Sequence, residues 1–316
     1  VLDLEVGEVL VRDGRALAFH RSGLEPLAPS EWDAPSAFWR RRTWDAPTVA
    51  YTRPWHLFQH AAHAIAQDFA LVTAGRHSQP LSPTVRVIGD PALVFLEEGA
   101  VVEASVLNTK GGPIFIGRGA EVMEGCLLRG PLAIGAGAQL KMGAKVYGPS
   151  VFGPECRVGG EVNNSVILGY SNKGHDGFLG NSVLGEWCNL GADTNNSNLK
   201  NTYGEVSVHS YAEDEAVPTG LQFCGLIMGD HSKSGINTMF NTGTVVGVSA
   251  NIIVGVFPPK YIPSFAWGGG DDFDTYDLEK ALGTARRVME RRHVPLTPAD
   301  EAILREVFRM EQDDRG

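Results

Sequence analysis

The sequence feature that most constrains the fold is a six-residue period in the middle of the chain. Neither an α-helix, with its 3.6-residue period, nor an alternating strand produces such spacing. A hexapeptide repeat does, because six residues form one short strand and a corner, and three such sides close a triangular coil. The residue at every sixth position points into the prism and is aliphatic or aromatic: Ile116, Val122, Leu128, Ile134, Leu140, Val146, Phe152 and Val158.

Glycines and a later return of the same frame extend this interpretation. Glycine follows the repeated residue at several corners, for example Gly117, Gly135 and Gly153, where it permits a tight turn. The frame between Ile88 and Val256 suffices for about eight coils stacked at about 4.8 Å. Hexapeptide prisms of known structure wind left-handed. We therefore predict a mainly β fold built on a left-handed parallel β-helix.

The rest of the chain is arranged around this prism. We expect a partial N-terminal α/β domain, a linker helix, the prism with one inserted excursion, and C-terminal helices. Asp13–Gly14 predicts a hairpin turn in the first part. Pro54 opens the linker helix, whose apolar stripe comprises Trp55, Phe58, Ala62, Ile65 and Phe69. The predicted boundaries are 1–52, 53–80, 81–270 with the excursion at 195–223, and 271–316.

Composition excludes several functional classes. The net charge of −10 argues against nucleic acid or an anionic membrane as a partner. No apolar run approaches the ~18 residues of a membrane span, and Val1-Leu2-Asp3 does not begin a signal peptide, so we expect a cytoplasmic protein. The four cysteines form no CxxC pair and are predicted to be buried thiols rather than disulfides or zinc ligands: Cys126, Cys156, Cys188 and Cys224.

Polar residues are concentrated in the second half of the prism. Twelve of the thirteen asparagines lie between Asn163 and Asn251, where they either serve the left-handed backbone of corners or bind a ligand. Within this region His175 lies in a polar run of small residues, Ser171 to Gly177. It is either a solvated loop residue or a general base, since imidazole exchanges protons near neutral pH. Three prism histidines, His175 with His209 and His231, also leave open a zinc site.

These stretches carry a resemblance to a known family. The segments Gly174-His175, Phe178-Leu179-Gly180 and Asn189-Leu190-Gly191-Ala192-Asp193-Thr194 are similar to the acetyltransferase half of the bifunctional N-acetylglucosamine-1-phosphate uridyltransferase/glucosamine-1-phosphate acetyltransferases. From Arg76 to Trp267 the chain more closely resembles a variant bacterial branch of these sugar nucleotidyltransferases. The resemblance implies a prism that assembles as a homotrimer and follows a nucleotide-binding domain.

The resemblance also implies roles for individual residues. His175 matches the catalytic base, and Phe178 stands where the family has a tyrosine that contacts the sugar phosphate. Two family lysines are replaced by Asn163 and Asn164, so a phosphate would need Lys141, Lys145 or Lys173 instead. Asn198 and Asn196 are expected to position the amine and the sugar hydroxyls. The residues expected on the acyl-CoA side are Ala192, Ile236 and Lys233.

The nucleotidyltransferase half of the family is not supported by the sequence. Such chemistry needs a Gly-rich, basic loop that holds a nucleoside triphosphate with magnesium. Residues 1–80 supply none. We therefore interpret residues 1–52 as a truncated remnant and expect Mg²⁺ only in a chain with the complete domain.

The resemblance implies an acetyl-CoA-dependent N-acetyltransferase in UDP-N-acetylglucosamine biosynthesis. Its acceptor would be an amino-sugar phosphate of the glucosamine-1-phosphate type, and no metal is required. Two alternatives stay open at this point. One is a non-catalytic regulatory trimer that binds a nucleotide sugar, and the other is a hexapeptide enzyme with a different acyl donor or a zinc hydratase.

Overall fold

The computed structural model describes residues 3–23, 39–269 and 273–315, and these fall into two compact units divided after Tyr51. The first unit holds strands β1 (Glu8–Arg12), β2 (Arg15–His20) and β3 (Arg40–Thr43). β1 pairs antiparallel with β2 across the predicted Asp13–Gly14 turn and parallel with β3. That this unit is the remnant of a nucleotide-binding domain stays a prediction.

The second unit is a parallel β-solenoid. Its strands are β4 (Arg86–Ile88), β5 (Val94–Leu96), β6 (Val101–Val102), β7 (Val106–Asn108), β8 (Ile114–Ile116), β9 (Glu121–Val122), β10 (Leu127–Arg129), β11 (Leu132–Ile134), β12 (Gln139–Leu140), β13 (Lys145–Tyr147), β14 (Ser150–Phe152), β15 (Arg157–Val158), β16 (Glu161–Asn163), β17 (Val166–Ile167), β18 (Asn172–Lys173), β19 (Phe178–Gly180), β20 (Val183–Leu184), β21 (Asn189–Leu190), β22 (Asn195–Asn196), β23 (Ser207–Ser210), β24 (Glu215–Pro218), β25 (Leu226–Met228), β26 (Lys233–Ser234), β27 (Met239–Phe240), β28 (Thr244–Val246), β29 (Asn251–Ile252), β30 (Tyr261–Ile262), β31 (Ala266–Gly268) and β32 (Asp274–Thr275). A 3₁₀ turn covers Pro91–Leu93.

Every third strand belongs to the same side of the prism through most of its length. Face 1 has the order β4-β7-β10-β13-β16-β19, face 2 runs from β5 to β30, and face 3 runs from β6 to β32. β22 and β27 pair with each other next to β19. This is the predicted left-handed parallel β-helix, and the fold class is confirmed.

The repeated residues fill the prism interior as the six-residue period predicts. All eight residues of the repeat are 2% exposed or less. The corner between face 2 and face 3 needs a left-handed backbone in successive coils. Glycine adopts it in the first three coils, at Gly99, Gly119 and Gly137. In the later coils other residues adopt it: Glu155, Tyr170, Trp187, His231, Ser249 and Phe265. Asparagine meets this need at other corners, with positive φ at Asn164, Asn181 and Asn237.

The linker segment has two helices, where the sequence predicts one. Helix α1 (His56–Gln59) ends at His60, and α2 (Ala61–Thr73) begins immediately after it. Because of this break, the apolar stripe continues through buried Ala61 rather than through Ala62, which is exposed.

The excursion from the prism packs outside face 2. It leaves after Asn198, somewhat later than the sequence predicts, and returns where the Cys224 amide donates to the Asn198 carbonyl at 2.9 Å. β23 and β24 form an antiparallel hairpin in it. The hairpin, α1 and the outer side of face 2 share a second apolar cluster: Trp55, Phe58, Val166, Val183, Val206, Val208, Cys224 and Val245.

Two helices end the chain, α3 (Leu278–Glu290) and α4 (Pro298–Arg315). The Asp277 side chain caps α3 by accepting from the Lys280 amide, and the Thr297 hydroxyl accepts from the Asp300 amide at the start of α4. In the described part of the chain, no helix is long and apolar enough to cross a membrane. All four cysteines are buried free thiols.

Candidate functional site

The candidate site is centred on one corner of the prism, between face 3 and face 1. Residues 174–177 join β18 to β19 there, and we call them the His175 corner. Register defines what lies above it, because Asn172 pairs with Asn189 and Asn189 pairs with Lys233. Counting three residues along each strand places His175, Ala192 and Ile236 in equivalent positions of three successive coils.

Backbone hydrogen bonds fix this column of corners. The Asp193 amide donates to the Asp176 carbonyl at 3.1 Å, and the Asn237 amide donates to the Ala192 carbonyl at 2.8 Å. His175 is exposed, Ala192 is half-buried and the Ile236 side chain is 69% exposed. With coils spaced at about 4.8 Å, the column from His175 to Ile236 spans about 10 Å. The structure therefore brings together three predicted site residues that are far apart in sequence.

The coil beneath the His175 corner is unusually short. Only Gly159 and Gly160 join β15 to β16, whereas four residues make the same turn in the neighbouring coils. Gly160 has a φ of +67°, and a Cβ there would lie 2.8–2.9 Å from the His175 and Gly177 carbonyl oxygens and from Asp176 Cα. The His175 corner thus packs directly on this pinched corner, which only glycine permits.

Lys173 lies inside the prism rather than on its surface. The residue is 2% exposed, and its Nζ donates to the His175 carbonyl at 2.6 Å and to the Gly159 carbonyl at 3.1 Å. Burial lowers the pKa of this ammonium to about 8, partly offset by Asp176 and Asp193. The expectation that Lys173 holds a phosphate is at odds with this burial, because its ammonium already faces backbone carbonyls.

Asparagines form a ladder at the next corner, between face 1 and face 2. The Asn198 Nδ2 donates to the Asn181 Oδ1 at 2.8 Å. With the Asn164 amide oriented so that its nitrogen donates to the Phe58 and Pro149 carbonyls, its oxygen accepts from the Asn181 Nδ2 at 2.9 Å. The sequence prediction missed Asn181, which connects the other two. The ladder holds Asn198 at the edge of face 1.

Asn196 has a structural role within its coil. It is 4% exposed, its Oδ1 accepts from the Gly180 amide at 2.8 Å, and its Nδ2 donates to the Gly180 carbonyl at 3.1 Å. The carboxamide thus takes the place of a backbone strand partner and does not face outward, contrary to the expectation that it binds sugar hydroxyls. Asn163, half-buried on β16, pairs with Gly180.

Phe178 lies between the two corners. Its Cζ is 2.5 Å from the position that a Cβ would take at Gly180, so the ring lies over that glycine. In the register of face 1, Lys145 pairs with Glu161 and Glu161 pairs with Phe178. The Lys145 Nζ is 3.4 Å from the Glu161 Oε2, and both side chains are partly exposed. A cation therefore lies on the same outer row as Phe178, about 10 Å away at the coil spacing.

The two remaining predicted lysines have different surroundings. The Lys141 Nζ donates to the Gln139 Oε1 at 2.9 Å, and its Cβ would lie 3.3 Å from a Cβ at Gly159, below the His175 corner. The Lys233 Nζ donates to the His231 carbonyl at 2.6 Å, and burial lowers its pKa. Lys233 borders Tyr276 and Ala281, beside α3, so its ammonium is not part of the exposed column.

The three histidines of the hypothetical zinc site are on separate elements. His209, on the hairpin strand β23, stacks on Tyr261 with ring centroids 3.7 Å apart. His231 stacks at 6.3 Å on Trp187, and burial lowers its pKa to about 4. Among the described residues, no three or more His, Cys, Asp or Glu side chains are grouped to hold a metal ion.

Comparisons with known proteins find similar solved structures but no matching sequence family. No protein-family model and no curated protein matches the sequence. The chain is similar to the polySia-specific acetyltransferase NeuO, at 14% identity over 60% of this chain and 81% of that one, with a TM-score of 0.29. It is similar to the UDP-N-acetylglucosamine acyltransferase of Arabidopsis, at 14% identity over 65% and 77%, with a TM-score of 0.29. A third similar structure is the Bacillus cereus N-acyltransferase AntD in complex with dTDP and 3-hydroxybutyryl-CoA, at 11% identity over 66% and 91%, with a TM-score of 0.28. Likenesses this distant assign no activity to this chain.

Proposed function

We propose that the chain is an acyltransferase that moves an acetyl group from acetyl-CoA to the amine of an amino-sugar phosphate. The observation that carries the proposal is the column His175, Ala192 and Ile236, which joins a candidate base to two candidate acyl-CoA positions along one corner. The sequence resemblance supplies the reaction class, and the column supports it because the three residues lie within about 10 Å of one another.

In the proposed reaction His175 is the general base. The neutral imidazole accepts a proton as the amine nitrogen attacks the thioester carbonyl carbon. The carbon–sulfur bond then breaks, the coenzyme leaves as the free thiol after taking up a proton, and the acceptor becomes an amide. The Ala192 amide donates to no carbonyl among the described residues, so it is available to the oxygen on which negative charge develops.

The acceptor would lie on the outer side of face 1. Phe178 offers its ring there, Asn198 lies at the far corner, and Lys145 provides a cation on the same row for a phosphate. We further propose that a homotrimer completes the site. His175 and Ile236 are exposed on a single chain, and a second copy packed along this corner would enclose the acyl chain and exclude water.

The proposal is tested with His175→Ala and with glucosamine-1-phosphate as the first acceptor. We expect release of the coenzyme thiol to fall by about 10²- to 10⁴-fold. The melting temperature should hardly change, since the side chain is exposed. His63→Ala, at an exposed position of α2, is the matched control and should keep full turnover.

Two results would count against this function. If the parent transfers no acetyl group to any of a panel of amino sugars but binds a nucleotide sugar, the chain is a binding protein rather than an enzyme. If His175→Ala retains parental turnover, another group is the base.

A further inference from the structure

Among the described residues, one lysine is buried inside the prism, where the coils directly above and below have aliphatic side chains. Lys173 pairs with Val158 in the register of face 3, and Leu190 takes the corresponding inward position in the next coil. All three residues are 2% exposed or less. The six-residue repeat calls for an apolar residue at this position, so the lysine departs from the pattern that builds the fold.

The Lys173 ammonium forms hydrogen bonds with the backbone of two corners, the pinched corner and the His175 corner of the candidate site. Its Nζ donates to the Gly159 carbonyl of the pinched corner and to the carbonyl of His175 itself. No backbone amide among the described residues donates to either oxygen. Because the pinched corner is two residues short, these carbonyls turn inward without strand partners, and a long cationic side chain reaches both.

We propose that Lys173 is a positioning residue, which ties the backbone of His175 to the coil beneath and so holds the imidazole in one orientation over the acyl-CoA column. This inference rests on the proposed function for its consequence in catalysis. Its structural part, that the ammonium immobilises the His175 corner, stands independently.

The chemical environment supports a functional rather than a packing origin. Burial of a cation is unfavourable, and the low pKa of Lys173 reflects this. The charged side chains facing it are the exposed carboxylates of Asp176 and Asp193, on its own corner and on the corner above. Met or Leu would fill the same space without that cost. Residues that reduce stability while ordering an active site are a common trade-off.

The experiment compares Lys173→Met with Leu190→Met, a volume-conserving change at the equivalent inward position one coil away. The first measurement needs no substrate. Hydrogen exchange at the amides of residues 174–177 should rise about tenfold in Lys173→Met only. The His175 imidazole signal, assigned by its loss in His175→Ala, should broaden or split in that variant and stay single in Leu190→Met.

The second measurement is kinetic. With acetyl-CoA and glucosamine-1-phosphate, kcat should fall about 10- to 100-fold in Lys173→Met while KM for acetyl-CoA stays within about twofold. Should Lys173→Met not fold, Lys173→Gln retains an uncharged donor and should show intermediate exchange and an intermediate kcat.

Different results would overturn the positioning role of Lys173 and the proposed function. Unchanged exchange and an unchanged imidazole signal in a folded Lys173 variant overturn the positioning role, even if the parent is an active acetyltransferase. A mobile corner in Lys173→Met with a parent that transfers no acetyl group supports the positioning role and overturns the proposed function.

Discussion

The coils between Ile114 and Val158, here called the regular coils, differ in length and in their interior side chains from the coils that directly follow Val158. In the regular coils, paired residues of neighbouring strands are 18 positions apart on all three faces, as in Leu127↔Lys145, Leu132↔Ser150 and Gln139↔Arg157. In the second set, the coils directly after Val158, the separation falls to 16, 15 and 17 positions, as in Lys145↔Glu161, Arg157↔Asn172 and Asn172↔Asn189. It is 18 again after the excursion, as in Lys233↔Asn251. The candidate site lies in the second set.

The difference shows how a repeat scaffold acquires a site. The regular coils bury aliphatic or aromatic side chains at every position of the six-residue repeat, and the lengths of their corners do not change from coil to coil. The corner at Gly159–Gly160 is two residues shorter than its neighbours. There the buried Lys173 donates to the Gly159 carbonyl, and the His175 corner packs directly against Gly160. A change in corner length therefore brings a buried cation and a candidate base together on this scaffold.

The largest expected effect concerns the charge inside the second set of coils. In the folded protein the pKa of Lys173 falls to about 8, against an ordinary value of 10.5 in the unfolded chain. Between these values the unfolded chain binds more protons, so stability rises with pH. Relative to Lys173→Met, the parent should gain on the order of 3 kcal/mol of unfolding free energy from below pH 8 to above pH 10.5.

Urea unfolding at a series of pH values measures this gain. Lys145→Met, which removes a partly exposed lysine from a regular coil, should give a curve parallel to that of the parent. Curves for Lys173→Met and the parent that stay parallel would show that the ammonium is hydrated, and the contrast between the two sets of coils would lose its main electrostatic element.

Much of this architecture could be predicted from the sequence, and the parts that could not share a cause. The period from Ile116 to Val158 specified the prism because every inward position obeys one rule. His175, Ala192 and Ile236 were each predicted from the family resemblance. That they lie in one column depends on a strand register set by the short corner at Gly159–Gly160 and by the inserted excursion. Side-chain directions of Lys173 and Asn196 also follow from that register. The six-residue count from Val158 falls on Asn164, and this break is a sign in the sequence that the register changes.

The next largest effect is expected when a side chain is added at the pinched corner, where it should lower the free energy of unfolding. Gly160→Ala places a Cβ 2.8–2.9 Å from the backbone of the His175 corner, at a φ of +67°. Gly143→Ala is the matched change in a regular coil, with a φ of +71° and no atom within 4 Å of the new Cβ. Both should lose about 1–2 kcal/mol to the left-handed backbone. Gly160→Ala should lose about 1–3 kcal/mol more to overlap.

Chemical unfolding gives both values, and acetyl transfer gives a second comparison. Only Gly160→Ala should reduce kcat, because only it displaces the His175 corner. Equal stabilities in the two variants would mean that the corner above the short coil adjusts freely, and that its close packing does not position the imidazole.

The smallest expected effect tests whether the last regular coil contributes to the site. Lys145 lies on the row of face 1 that leads through Glu161 to Phe178. If it contacts the acceptor phosphate, Lys145→Met should raise KM for glucosamine-1-phosphate about tenfold, the equivalent of about 1.4 kcal/mol. Unfolding free energy should change by less than about 1 kcal/mol, since the ion pair with Glu161 is partly exposed.

Lys110→Met, at an exposed position of an earlier coil, is the control and should leave KM unchanged. KM for glucosamine, which lacks the phosphate, should be unchanged in both variants. Equal KM values for the two acceptors in the parent and in Lys145→Met would confine the site to the shortened coils and exclude a phosphate contact from this row.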